Sequence, residues 1–343
     1  MKKHLFAAVV MAAALFTACD KDSDPILPNP VATEGAQVSV ALTESDDAPT
    51  RAFFDTTATA EAWEKSLSSL SVFAFDNAGS LIVRRDFTSA ELAARSAVFS
   101  LPKSAAGASC TFCAVANLDT SSVKSRADLT ALVERSAADY NGTFAEVSSK
   151  ALRPGGFVMS GMKMLTVGAV NSTTNVGISL KRTVAKVALQ TTIDPEFSQK
   201  YGGTLTIRSV KLSKAASQSL VMAESAPSPG AMTFTHTQTP AAASGKFNSL
   251  FYLYENGPQT AGSRALLEIG ATYDLDGNAA TTDDRSEVTY TVELAGKAAG
   301  EMLRNGYYRI SVNITGLAGQ ECAVSVTVAD WETPITQNVD LGA

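Results

Sequence analysis

From residue 70 onward the chain alternates apolar and polar positions with a period of two, in short runs closed off by Gly, Pro, Asn or Asp. A period of two puts successive side chains on opposite faces of an extended backbone, and the closing residues supply turns, so these runs are predicted as β-strands. The first group is LSVFAFD (70–76), SLIVRRDF (80–87), AVFSLP (97–102) and CTFCAVAN (110–117). A second group comprises GTLTIRSVKLS (203–213), SLFYLYEN (249–256), ALLEIGATYDL (265–275), EVTYTVELA (287–295), GYYRISVNITG (306–316) and CAVSVTVADW (322–331). Between them lies VGISLKRTVAKVALQTTI (176–193), longer than an ordinary strand and therefore expected to pass from one sheet system into another, with the boundary near Arg182. The best helical spacing is Leu129, Leu132 and Val133 within 125–138. Strands this short and this regularly punctuated predict an all-β fold of two β-sandwiches in tandem, closed by Greek-key or hairpin connections.

The N-terminus has a different pattern. Lys2 and Lys3 precede an apolar run over 5–16, and Thr17 and Ala18 lead into Cys19. This is the charged, apolar and small-residue order of a secretion signal, and its apolar run is too short to cross a bilayer. The segment LFTAC ending at Cys19 resembles a bacterial lipobox, with Phe16 where that pattern usually has an aliphatic residue. The resemblance implies acylation of Cys19, and the acidic stretch DKDSD (20–24) resembles the tag of surface-exported lipoproteins. The expected organisation is a signal peptide over 1–18, a propeptide over 19–51, an N-terminal sandwich over 52–180 and a C-terminal sandwich over 181–343.

Composition fits an exported globular body: 45% of residues are hydrophobic and 18% charged. The formal charge is -6; removing 1–51 takes away four basic and seven acidic side chains and leaves 24 minus 27, or -3. No clustered Lys and Arg face is present to bind nucleic acid. With Cys19 assigned to lipid, Cys110, Cys113 and Cys322 remain, an odd number that offers no disulfide framework. Cys110 and Cys113 have CxxC spacing but lie in a β-rich run, where residues three apart point to opposite faces. They are read as buried strand cysteines rather than a redox or metal pair.

Catalytic chemistry finds few candidates. Of two histidines, His4 belongs to the signal peptide and His236 to the Thr-rich run TFTHTQT. A Ser-His-Asp triad or a zinc site has little to build on. The string DLDGNAATTDD places Asp274, Asp276 and Asn278 in alternation, but Gly277 falls at the fourth position and Arg285 at the twelfth, where an EF-hand requires Gly at the sixth and Glu at the last. A hairpin loop accounts for it better. No GxxxxGK phosphate loop occurs, so no enzyme, metal or cofactor is expected.

Both ends of the chain carry one further strand pattern. QVSVAL (37–42) alternates, with Val38, Val40 and Leu42 on one face, and the polar linker ESDDAPTRAFFD follows, presenting Arg51 before Ala52 as an accessible loop would. After Trp331 the tail PITQNVDL alternates again, with Ile335, Val339 and Leu341 on one face. Two readings of the tail stay open: a strand donated to another subunit, or the last strand of its own domain.

The order FVMSG (157–161), SLKRTVAKVAL (179–189), FYLYEN (251–256), RNGYYRISVNI (304–314) and VTVADW (326–331) resembles the fimbrillins, the type V pilins of Bacteroidales. The resemblance spans most of the chain from about residue 70. It implies two transthyretin-like sandwiches, outer-membrane and cell-surface export as a lipoprotein, cleavage after Arg51 by a trypsin-like surface protease, and polymerisation by donor-strand exchange with other fimbrial subunits. The expected function is a structural fimbrial subunit supporting adhesion, with an accessory or tip subunit as the alternative. A surface glycan-binding lipoprotein is a further alternative and would need an exposed aromatic platform, for which Trp63 and Trp331 are the available tryptophans.

Overall fold

A computed structural model of the chain describes residues 35–43, 54, 60–149, 155–222, 232–239, 246–278, 280–318, 322–323, 327–330 and 336–341. The first strands are β1 (Ala36–Thr43), β2 (Leu70–Phe75), β3 (Leu81–Asp86), β4 (Ser96–Leu101), β5 (Ser109–Ala116), β6 (Val133–Glu134), β7 (Met159–Thr166), β8 (Thr173–Ser179) and β9 (Lys181–Arg182). They build a three-stranded sheet of order β4-β1-β8 and a five-stranded sheet of order β3-β2-β5-β7-β9. One core cluster joins the inner faces of both: Val38, Val40 and Val176 from the first sheet, Val72, Ala74, Cys110 and Phe112 from the second. The period-two pattern thus does what it predicts, burying alternate residues between two sheets.

The remaining strands are β10 (Val184–Ile193), β11 (Thr204–Ala215), β12 (Ser219–Leu220), β13 (Phe234–Gln238), β14 (Lys246–Tyr254), β15 (Leu266–Asp274), β16 (Arg285–Glu293), β17 (Gly306–Ile314), β18 (Cys322–Ala323), β19 (Thr327–Asp330) and β20 (Thr336–Leu341). A six-stranded sheet of order β14-β10-β17-β19-β20-β18 packs on a four-stranded sheet of order β13-β11-β15-β16. Val187 and Leu189 of β10, Ile207 and Val210 of β11 and Ile269 of β15 share the second core. The fold is an all-β double sandwich.

The long apolar run over 176–193 resolves into three strands rather than one. β8 and β9 belong to the first sandwich; Thr183 donates its backbone N–H to the Val158 carbonyl, and from Val184 the chain pairs with β14 and β17. β10 is covered on both faces: Ala185, Val187 and Leu189 lie in the second core, Val184 and Ala188 in the first. The helix expected over 125–138 is cut short. An α-helix forms at Arg126–Thr130, capped by the Ser125 side chain accepting from the Asp128 N–H. The chain then extends so that β6 can pair with β12 of the second half, a tertiary contact that overrides the local spacing.

Cys110 and Cys113 are both buried in β5, Cys110 in the core between the sheets and Cys113 in a separate cluster on the outer face with Phe73, Phe75 and Val115. The strand geometry separates them as expected. Burial, and secondarily the charge of Asp76, pushes the Cys110 thiol above its ordinary pKa.

Candidate assembly site

β1 is the middle strand of its sheet. It runs antiparallel to β4, with Val38 opposite Phe99 and Val40 opposite Ala97, and parallel to β8, with Val40 beside Val176 and Leu42 beside Ile178. Val38 and Val40 are fully buried and Leu42 is 9% exposed, while Gln37, Ser39 and Ala41 alternate outward. Backbone bonds seal both ends: the Gln37 N–H donates to the Ser172 carbonyl at 3.0 Å and the Leu42 N–H to the Arg95 carbonyl at 2.9 Å. Arg95 sits at φ 53, in the left-handed region, which turns the chain out of the helix Ser89–Ala94 and into β4.

In this topology β1 bridges two strands that do not otherwise pair. β4 and β8 are hydrogen-bonded to β1 and not to each other, so withdrawing it leaves two strands facing an empty track lined by Ala97, Leu101, Val176 and Ile178. Each of Val38, Val40 and Leu42 contributes about 1.5–3 kcal/mol by burial, and each buried backbone group stranded by their removal costs about 1–3 kcal/mol. Cys19, Arg51 and Ala52 lie outside the described residues.

At the other end, β20 lies within its own sheet. It runs parallel to β17, from Arg309 beside Thr336 to Ile314 beside Leu341, and antiparallel to β18 and β19. Val339 stands beside Val312; Ile335 lies outside the described residues. The tail is thus held by one parallel neighbour together with antiparallel ones, the same polarity of neighbours that β1 has between β8 and β4.

The two sandwiches are locked by a buried charge cluster for which local sequence gives no signal. Glu64, fully buried at the end of the turn Ala62–Lys65, meets Lys186 Nζ of β10 at 2.8 Å and accepts from the Tyr252 hydroxyl of β14 at 2.5 Å. Arg182 Nε donates to the Glu64 carbonyl at 2.8 Å, and its Nη1 to Asn305 Oδ1 at 2.7 Å. Burial pushes the Glu64 carboxyl up, but the charges of Lys186 and Arg182 and the hydrogen bonds from Lys186 and Tyr252 outweigh it and hold the group below the ordinary carboxylate range. Burial and the Glu64 charge push the Tyr252 hydroxyl well above its usual value, so it remains a donor. A second clamp is Arg304, whose Nε donates to Glu255 Oε2 at 2.9 Å while Nη1 and Nη2 donate to the carbonyls of Val221 and Leu220.

The remaining sequence candidates have structural roles. Trp63 is half-buried against Phe157 and Tyr252, with ring centroids 5.7 and 6.1 Å away, and so forms part of the junction rather than a platform. Trp331 lies outside the described residues. His236 Nε2 bonds the Gly142 carbonyl at 3.0 Å, and its ring meets Phe251 edge-on.

Fold and site together define a class: a tandem β-sandwich protein in whose first sandwich β1 is the middle strand of its sheet. Residues 33–336 match the family model described as fimbrillin-A associated anchor proteins Mfa1 and Mfa2, so the chain belongs to that family. It is a cell-surface fimbrial protein that acts together with other fimbrial subunits. No curated protein matches the sequence. The fold is shared with a protein of Bacteroides eggerthii assigned to cell adhesion, at TM-score 0.55 and 18% identity over 90% of this chain and 98% of that one. It is also shared with two Parabacteroides distasonis proteins of the same assignment. One has TM-score 0.55 and 17% identity over 82% of this chain and 88% of that one. The other has TM-score 0.50 and 15% identity over 90% and 99%.

Proposed function

We propose that the chain is a fimbrial building block held unassembled by its own leader strand. It is exported with lipid on Cys19, cut between Arg51 and Ala52 by a trypsin-like surface protease, and loses β1. The vacated track then accepts a strand from another subunit by donor-strand complementation. The observation that carries this reading is that β1, encoded before Arg51, is the middle strand of the β4-β1-β8 sheet. A tail such as β20 suits the track in polarity, and Ile335, Gln337, Val339 and Leu341 have the spacing of Ala36, Val38, Val40 and Leu42. Contacts between donor and acceptor of this kind do not close and so grow filaments. The role is structural rather than catalytic.

A second reading rests on the tail being paired along β17 of its own sheet. On that reading the subunit is an accessory or terminal one that contributes no strand of its own. The mature N-terminus and an unheated denaturing gel test both. A terminus at Ala52 with a ladder of heat-sensitive oligomers is expected for a polymerising subunit. A monomer still lipidated at Cys19 contradicts the cut and favours an anchored accessory subunit. Arg51→Ala leaves export intact and abolishes the ladder.

A further inference from the structure

The hairpin joining β15 to β16 gathers carboxylates that the EF-hand comparison passes over. Asp274, Asp276 and Asp284 each bring an oxygen within 4.8 Å of the others. They are placed there by the hairpin itself: Asp274 and Arg285 are its last cross-strand pair, and the Asp276 N–H donates to Asp284 Oδ2 at 2.7 Å across the loop. Asp276 Oδ1 in turn accepts from the Asn278 N–H at 2.7 Å.

An exposed acidic cluster needs no ligand, but this one is partly sealed. Asp274 is only 7% exposed; its Oδ2 accepts from Arg285 Nε at 2.9 Å, while its Oδ1 is shut off from solvent with no hydrogen-bond donor. The Oδ1 of Asp284 is likewise buried and without a donor. Buried anionic oxygens without partners are costly, and native structures satisfy them with a donor, a water or an ion. The three clustered carboxylates and the Arg285 guanidinium sum to -2, and Asp283 beside them adds a further negative charge, a balance that favours a divalent cation.

We infer that the β15–β16 hairpin binds a hard divalent cation, calcium, through Asp274, Asp276 and Asp284. Oxygen-only ligands on an irregular loop suit calcium, which tolerates flexible geometry, better than magnesium, which demands an octahedron and keeps its water. The ion ties the start of the loop to its end, fixing the segment that begins at Leu275, which is 56% exposed. Extracellular calcium modules bind at about 10⁻⁴–10⁻³ M, a range matched to external calcium.

The test uses the full folded chain and terbium as the probe, with Tyr273, adjacent to Asp274, as the sensitiser. Terbium luminescence on tyrosine excitation is expected to rise saturably and to be displaced by calcium chloride. In the double variant Asp276→Asn, Asp284→Asn, which keeps the side-chain shapes and removes two of the three anionic ligands, the affinity falls at least about tenfold, because affinity follows ligand charge. In parallel, the thermal midpoint of the unaltered chain rises in millimolar calcium relative to chelator by mass action, and that of the double variant does not. No saturable luminescence, or equal terbium affinity and equal calcium stabilisation in the two proteins, overturns the inference.

Discussion

Val40 of β1 lies beside Val176 of β8 in parallel register. Parallel neighbours cannot be joined by a tight turn, and β1 precedes in sequence every other strand of the first sandwich. A strand inserted this way is held by side-chain burial and backbone pairing rather than by a hairpin, and a cut in the linker frees it from the body covalently. The apolar face therefore sets how tightly it is held. Val40→Ala is expected to lower stability of the uncut protein by about 1.5–3 kcal/mol, measured by denaturant unfolding. After the cut, the same substitution is expected to speed loss of the strand. A change below about 0.5 kcal/mol, the range of ordinary surface substitutions, would place Val40 outside the core.

The junction between the sandwiches depends on a coupled pair. Glu64→Leu leaves Lys186 buried without its partner and is expected to destabilise by about 3–5 kcal/mol. Glu64→Leu combined with Lys186→Met is expected to cost less than the sum of the single changes, by about 0.5–3 kcal/mol of coupling. A double-mutant cycle by chemical denaturation measures this, and additivity would show that the 2.8 Å contact carries no net coupling.

Acid weakens the same junction. The Glu64 carboxyl lies below its ordinary value of 4.5 in the folded chain. Its contribution to stability is thus fully present above that value and is lost as pH falls through the lowered folded value. The slope of unfolding free energy against pH in the acid range is expected to be shallower in Glu64→Gln than in the unaltered protein. Identical slopes would assign the acid sensitivity to other groups.

Cys110 and Cys113 are expected to resist alkylation in the native state at neutral pH and to react once the chain is unfolded. Both are buried, on opposite faces of β5, and burial holds the Cys110 thiol protonated. Mass spectrometry of the tryptic peptides separates them from Cys322. Rapid native labelling, or an oxidised Cys110–Cys113 pair, would contradict the strand geometry.

Much of this architecture was legible wherever one face is buried and the other is wet. QVSVAL announces β1 because Val38, Val40 and Leu42 face the core while Gln37, Ser39 and Ala41 do not. The signal failed where tertiary contact decided the outcome. Leu129 and Val133 have helical spacing, yet Val133 pairs with Leu220 from the other half of the molecule. Glu64 was missed for the same reason: its partners Lys186 and Tyr252 are remote in sequence and meet only when the sandwiches dock. The carboxylate loop was half visible, since Asp274 and Asp276 alternate in sequence, whereas Asp284 arrives only when the hairpin closes.

The central claim, that β1 must leave for assembly to proceed, is tested most directly by locking it in place. Ser39 and Val98 face each other across β1 and β4, and Val98 is 60% exposed. A disulfide between Ser39→Cys and Val98→Cys ties the strand to its track. After cleavage at Arg51 the oxidised protein is expected to retain residues up to 51 and to form no heat-sensitive oligomers. Reduction should release the segment and start polymerisation. Oligomers forming equally fast with the disulfide intact would show that assembly does not use the track of β1.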